Sequence, residues 1–432
     1  MALFSCPGGS SLRFWIFLLA AATVGNSASA FHSGGTGECT GCHDMHQAHS
    51  PSEGMDNNVA LLAGKDPGSV CLDCHLKAGQ KQPDSHLVAT ADQDMPAGMP
   101  PGQLTPAGDF GWLKKNFRWG AGGGEGGGYS PGERHGHNIV ADGYRFSPDT
   151  ERITAPGGTY PSNSLSCISC HDPHGKYRRF AGGSIGTVGA PIQASGSYDS
   201  SPDPSGDRSV GVYRLLGGKG YKTSLYDGEP FTADPPSAVS PSTYNRKEDA
   251  GDTRVAYGAG FSEWCANCHP RFLAGGGAGA KSHPAGGIVK LSRNVIANYN
   301  AYVVSGNLSG SSSTSYTSMV PFEAGTSDYG LLKRMAKSDG SAAAGPGPQA
   351  NVMCLSCHRA HASGWDHGGR WNLKSEFLVY NGQFPGVDDS TVPTRISQGR
   401  TRAETRKTFY DRPPTAYATY QRSLCNKCHA MD

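Results

Sequence analysis

Six times in this chain, two cysteines separated by two residues are followed at once by histidine: Cys39-Cys42-His43, Cys71-Cys74-His75, Cys167-Cys170-His171, Cys265-Cys268-His269, Cys354-Cys357-His358 and Cys425-Cys428-His429. That is the pattern of covalent c-type haem attachment. The cysteines take up the haem vinyl groups as thioethers, and the adjacent histidine is placed to ligate the iron from one face. A lone Cys-x-x-Cys would read as a zinc knuckle or a redox dithiol. Zinc sites require no histidine at that position, and a thioredoxin-like site occurs once, near a βαβ pattern. The pattern therefore predicts six covalently bound haem c groups, with His43, His75, His171, His269, His358 and His429 as proximal iron ligands and no catalytic side chain.

The rest of the chain could not fold alone. It carries 61 glycines and 29 prolines in 432 residues, and its aliphatic residues are sparse. Such a composition cannot bury enough apolar surface to offset the ordering entropy. With the motifs, the macrocycles become the core. The predicted fold class is a multihaem cytochrome c, mostly coil and loops with short helices and very little strand, wrapped around six haems. Short helices are expected around each motif, over Asp328–Lys337 and near Ile288–Tyr302, and a short strand at Arg254–Tyr257. The irregular spacing of the motifs argues against a tandem repeat.

Residues 1–30 read as a secretory signal peptide. Arg13 precedes an apolar run from Phe14 to Val24, and Ala28-Ser29-Ala30 offers a small-residue cleavage site. The run is too short to span a membrane. Residues 31–432 are then a single elongated unit, beginning at Phe31. Cys6 leaves with the signal, so all twelve remaining cysteines lie in the six motifs and none is left for a disulfide. A formal charge of +2 carries no basic footprint for nucleic acid.

Ten histidines lie outside the motifs: His32, His46, His49, His86, His135, His137, His174, His283, His361 and His367. A second histidine closes an iron for electron transfer, whereas an open iron could bind and reduce a small molecule. Three histidines follow a proximal one at the same spacing, in His43-x-x-His46, His171-x-x-His174 and His358-x-x-His361. Three residues span at most roughly 10 Å, too little to reach the far face of the same haem. Each must serve a different haem or none. Ligation is favoured for His174 and His361, and geometry alone favours it less for His46. Sequence context does not decide His86, His137 or His283. His49, His135 and His367 fit surface positions.

Several stretches outside the motifs resemble the OmcS-type family of filament-forming, outer-surface hexahaem c-type cytochromes of metal-reducing bacteria. They are Phe31-His-Ser-Gly-Gly, Asp94-Met-Pro-Ala-Gly, Gly108-Asp-Phe-Gly-Trp, His171 to Phe180, Pro241 to Arg246, Arg254-Val-Ala-Tyr-Gly, Ser262 to His269, Cys354 to Gly364 and Tyr420 to Ala430. The resemblance implies two histidine ligands at every iron and haems in one continuous stack of alternating parallel and T-shaped pairs. It implies distal ligands at His46, His86, His137, His174, His283 and His361. His46 would cross the subunit boundary to the fifth-motif haem of a neighbour, giving a head-to-tail homopolymer that forms an open filament. His32 has a family counterpart, but six irons are already served; His49, His135 and His367 have none.

What the family implies is an extracellular conduit on the surface of a Gram-negative bacterium. Electrons would come from outer-membrane or periplasmic cytochromes and go to metal oxides or other external acceptors. Two rival readings remain at this stage: a periplasmic multihaem reductase of a small nitrogen compound or oxyanion, which needs an open iron, and a soluble monomeric shuttle, which needs His46 satisfied within its own chain.

Overall fold

A Cys-x-x-Cys-His sequence needs one turn of helix, since residues three and four apart share a helical face. That turn puts both sulfurs and the imidazole on the same side. The structure, a computed structural model, describes residues 39–44, 61–79, 86–120, 127–242, 248, 253–273 and 284–429. All six motifs lie within it, whereas residues 1–30, His32, His46, His49 and His283 fall outside the described residues. In five motifs the histidine N–H donates to the first cysteine's carbonyl, at 2.8 Å for His43, 3.0 Å for His171, His269 and His429, and 3.1 Å for His358. The first, third and fifth motifs hold this turn as isolated 3-10 turns at Cys39–Gly41, Cys167–Ser169 and Cys354–Ser356.

The other three motifs lie on or beside short α-helices. The second occupies α1 (Pro67–His75), which starts with proline and is capped by Asp66, whose Oδ1 accepts from the Ser69 N–H at 2.8 Å. The fourth ends α2 (Phe261–Cys265) and runs into α3 (Pro270–Leu273), and the sixth ends α8 (Arg422–Cys425). Between them stand α4 (Arg293–Ala301) and α5 (Tyr329–Met335), inside the two stretches expected to be helical. The C-terminal part adds α6 (Thr394–Ser397) and α7 (Arg402–Thr408).

Strands are few and short. β1 (Phe117–Trp119) pairs antiparallel with β2 (Gly128–Ser130); β3 (Arg178–Arg179) pairs with β4 (Ile185–Gly186) and β5 (Val210–Gly211); β6 (Ser237–Val239) pairs with β7 (Ala256–Ala259). The strand expected at Arg254–Tyr257 is therefore displaced toward the C-terminus. Arg254 instead makes an isolated bridge with Lys337, and its guanidinium donates to the Ala342 and Ala344 carbonyls while lying over the Tyr316 ring.

The apolar interior is divided into small clusters, several of which end on motif residues. Phe409, Trp371 and Leu378 pack against Cys357 and Cys428. Leu72, Phe110 and Phe146 pack against Cys167. Tyr257 and Met353 pack against Leu355. This is what a chain with little aliphatic material gives: patches that each wall one side of a motif. No helix among the described residues is long and apolar enough to cross a membrane.

Candidate haem-ligand pairs

The histidines come together in twos. The rings of His43 and His174 are 6.4 Å apart at their centres and nearly parallel, at 6°. Those of His75 and His86 are 5.5 Å apart and nearly perpendicular, at 82°. Those of His137 and His269 are 6.0 Å apart at 45°. Each pair joins a motif histidine to a histidine outside the motifs. Two metal–imidazole bonds of about 2 Å, plus the half-width of each ring, separate ring centres by roughly 6 Å. The described pairs fit a single iron held between two imidazoles. Among the described residues no group of three or more His, Cys, Asp or Glu side chains could hold a bare metal ion. A donor set of two suits haem, whose macrocycle supplies the remaining ligands.

In five of these histidines, though not at buried His361 Nδ1, the other ring nitrogen is occupied in the manner of a ligating histidine. Nδ1 faces a backbone carbonyl in His75 (His86, 2.8 Å), His137 (Ala360, 2.6 Å), His171 (Arg214, 2.7 Å), His269 (Pro156, 2.8 Å) and His358 (His367, 2.9 Å). A carbonyl can only accept, so Nδ1 carries the proton and Nε2 is left with its lone pair for a metal.

His361 lies by the third motif. Burial first, then the nearby His171 and His137 imidazoles, hold it below the ordinary histidine range. Its backbone meets that of His137: the His137 N–H donates to the His361 carbonyl at 2.9 Å. Gly136 makes this approach possible, because a Cβ there would run into the His361 carbonyl and Ala362. Two distal candidates, one ahead of the third motif and one just after the fifth, are thus set back to back. His174 is aimed by the turn that follows the third motif. Asp172 accepts from the His174 N–H at 3.1 Å and the Lys176 N–H at 3.0 Å.

The sulfurs give the order of the motifs in space. Cys42 lies within electrostatic reach of Cys71 and Cys74. Cys71 and Cys167 touch through a hydrogen bond. Cys170 and Cys268 are neighbours, Cys265 and Cys354 touch, and Cys357 neighbours Cys425 and Cys428. The motifs thus follow one another in space as they do in the chain. Irregular sequence spacing gave no hint of this.

Two histidines of the surplus set are placed differently from one another. His367 is exposed, and its role is its carbonyl, which accepts from His358. His135 was expected at the surface and is instead fully buried. Its Nδ1 faces the Trp112 carbonyl and its Nε2 the Ser130 hydroxyl, each at 2.9 Å. Burial and the nearby Arg400 guanidinium depress it to about 3, so it sits in the interior as a neutral, hydrogen-bonded group. No pattern around it signals this, because its partners come from Trp112, in the 3-10 turn Phe110–Lys114, and from Ser130 at the end of β2. The expected ligands His46 and His283 lie outside the described residues.

No family model matches the chain. Against curated proteins it is 49% identical over 414 residues to the C-type cytochrome OmcS of Geobacter sulfurreducens, spanning 94% of this chain and 95% of that one. Two cryo-electron microscopy or filament structures of the same cytochrome superpose on it. The first, of OmcS nanowires from Geobacter sulfurreducens, matches with a TM-score of 0.84 at 48% identity, covering 93% of this chain and all of that one. The second, of the outer membrane cytochrome S filament from the same organism, gives a TM-score of 0.83 at 48% identity, with the same coverage of this chain.

Proposed function

Because this chain belongs to the OmcS family of C-type cytochromes, we propose that it is an extracellular electron conduit built on six covalently bound haem c groups. Bound haem c supplies reversible one-electron storage at its iron. The work of this chain's residues is to tether, orient and space those groups. The cysteine pairs of the six motifs fix each macrocycle by two thioethers. His43, His75, His171, His269, His358 and His429 present Nε2 from one face. His174, His86, His361 and His137 close the first, second, third and fourth irons from the other. His283 and His46 remain for the sixth and fifth, with His46 donated to the fifth-motif haem of a neighbouring subunit.

The observation that carries this reading is the set of three imidazole pairs at 5.5–6.4 Å, each on a different motif. Serial contact between motif sulfurs supports a single line of haems rather than scattered sites. Residues 1–30 direct export, and residues 31–432 form one unit of a head-to-tail homopolymer on the cell surface. The relatives' filament structures support that assembly. Electrons enter from outer-membrane or periplasmic cytochromes and leave to metal oxides or other external acceptors.

The test is cryo-electron microscopy of material sheared from cells making the wild-type protein or His46→Ala. Wild-type filaments with six haems per repeat are expected. The variant should assemble poorly and carry one high-spin iron. Normal filaments with every iron low-spin would remove the cross-subunit ligand, and discrete wild-type particles would remove the conduit.

A further inference from the structure

The sites differ in the protein charge packed against them. Each haem c brings the same two propionate carboxylates, so potential differences between sites with like ligands follow from burial and fixed protein charges. Beside the fifth motif, Arg359, Arg370 and Arg412 are all buried, as is Glu248. Arg359 directly follows His358. The Arg370 N–H donates to the Cys357 carbonyl at 2.8 Å, and its Nε donates to the Leu355 carbonyl at 2.7 Å. Glu248 receives Arg359 at 2.8 Å and Arg370 at 3.1 Å on its two carboxylate oxygens. Arg412 donates to the Glu248 carbonyl at 3.1 Å and to the Ser318 hydroxyl. A second acid, buried Glu323, lies within reach of Cys354; burial raises its pKa, while its carboxylate accepts from the Phe261 N–H at 2.6 Å and Asn351 Nδ2 at 2.7 Å. Within the cluster itself, three guanidinium groups face the single Glu248 carboxylate.

Other motifs have a different balance: the sixth holds one buried ammonium, Lys427, which donates to the Tyr299 and Tyr302 carbonyls at 3.1 and 2.6 Å. At the third, buried Asp172 and the Arg214 guanidinium offset one another. At the second, buried Asp66 lies beside Cys71, while Asp73, Lys65 and Lys77 are exposed to solvent, where their charge is screened. Positive charge in a low-dielectric setting favours the added electron, and negative charge opposes it. Taking the proposed haem sites as given, we infer that the Arg359–Arg370–Arg412–Glu248 cluster makes the fifth-motif haem the highest-potential site of the subunit, with the second-motif haem at the low end. Electrons collect at the fifth site, next to the boundary that His46 would cross.

Spectroelectrochemical titration of the haem-loaded protein tests this. Arg412→Gln removes one cluster charge and should lower the most positive one-electron component by about tenfold in its reduction equilibrium, ~59 mV. The remaining components should stay in place. Arg412→Lys keeps the charge and should titrate as wild type, and Glu248→Gln should raise the same component. Haem content by mass and thermal midpoint are measured alongside. A destabilised Arg412→Gln protein with an unmoved titration means that the cluster only braces loops, and overturns the inference. Movement of the lowest component instead overturns it equally. A protein lacking covalent haem altogether would remove the functional reading beneath it.

Discussion

On the proposed ligand set, the second motif and the first are closed in opposite ways. His75 and His86 are 11 residues apart, near in the chain as well as in space. His43 meets His174, carried on the turn behind the third motif, and His137 meets His269 across a comparable stretch of chain. A local pair asks little of the fold, because closing a short loop costs little entropy. A distant pair holds two parts of the molecule in register. Since His174 sits three residues beyond His171, one short backbone segment positions the proposed ligands of two irons. The difference teaches that in a chain so poor in aliphatic residues, shared ligands do the cross-bracing that a continuous core would otherwise do.

The largest effect should come from breaking the distant brace. In the haem-loaded protein, His174→Ala should open the first iron to high spin and lower the thermal midpoint more than His86→Ala, which opens only the second. Electron paramagnetic resonance and a thermal melt of both variants check this; equal losses of midpoint would erase the distinction between brace and local clasp.

Acid should act next, on the wall of the fifth motif. Desolvation by burial opposes ionisation of Glu248, but the Arg359, Arg370 and Arg412 guanidinium groups outweigh it and hold the carboxyl at about 2 against an ordinary 4.5. A carboxyl depressed in the folded state stabilises fully above its unfolded pKa, and that contribution is lost as the pH falls through the folded value. The loss should therefore run from about pH 4.5 down to pH 2, amounting to about 3 kcal/mol. Denaturant melts across that window measure it, and Glu248→Gln should flatten the dependence.

The smallest effect belongs to the second motif. Asp66→Ala removes the cap of α1, whose carboxylate also receives the Ser69 hydroxyl and the Asp142 N–H. The expected cost is about 1 kcal/mol with no change of spin state. A spectral change at the second iron would mean that the cap also sets the pitch of Cys71 and Cys74, making the local clasp less independent than the comparison holds.

Much of the site was legible in the chain because thioether chemistry is local. Two sulfurs and an imidazole on one helical turn need only i, i+3 and i+4, and every motif takes that turn. The helices at α4 and α5 were legible too, each with a capping side chain at its start, Ser292 and Asp328. The partners of His137 and His361 were not, since Gly136 reveals its purpose only when the His361 backbone arrives against it. His135 was misread for the same reason: its Trp112 and Ser130 partners are brought to it from the turn before β1 and from the end of β2.

By itself the sequence determined the six motifs, with the twelve cysteines and six histidines on which the proposed haem attachment rests, because each motif is confined to five consecutive residues. Tertiary structure alone decided the order of the motifs in space, the pairing of His43 with His174 and of His269 with His137, and the gathering of three arginines around Glu248. Those depend on contacts between segments far apart in the chain, and with no regular repeat or sheet to fix register, nothing short of the packed fold specifies which segments meet.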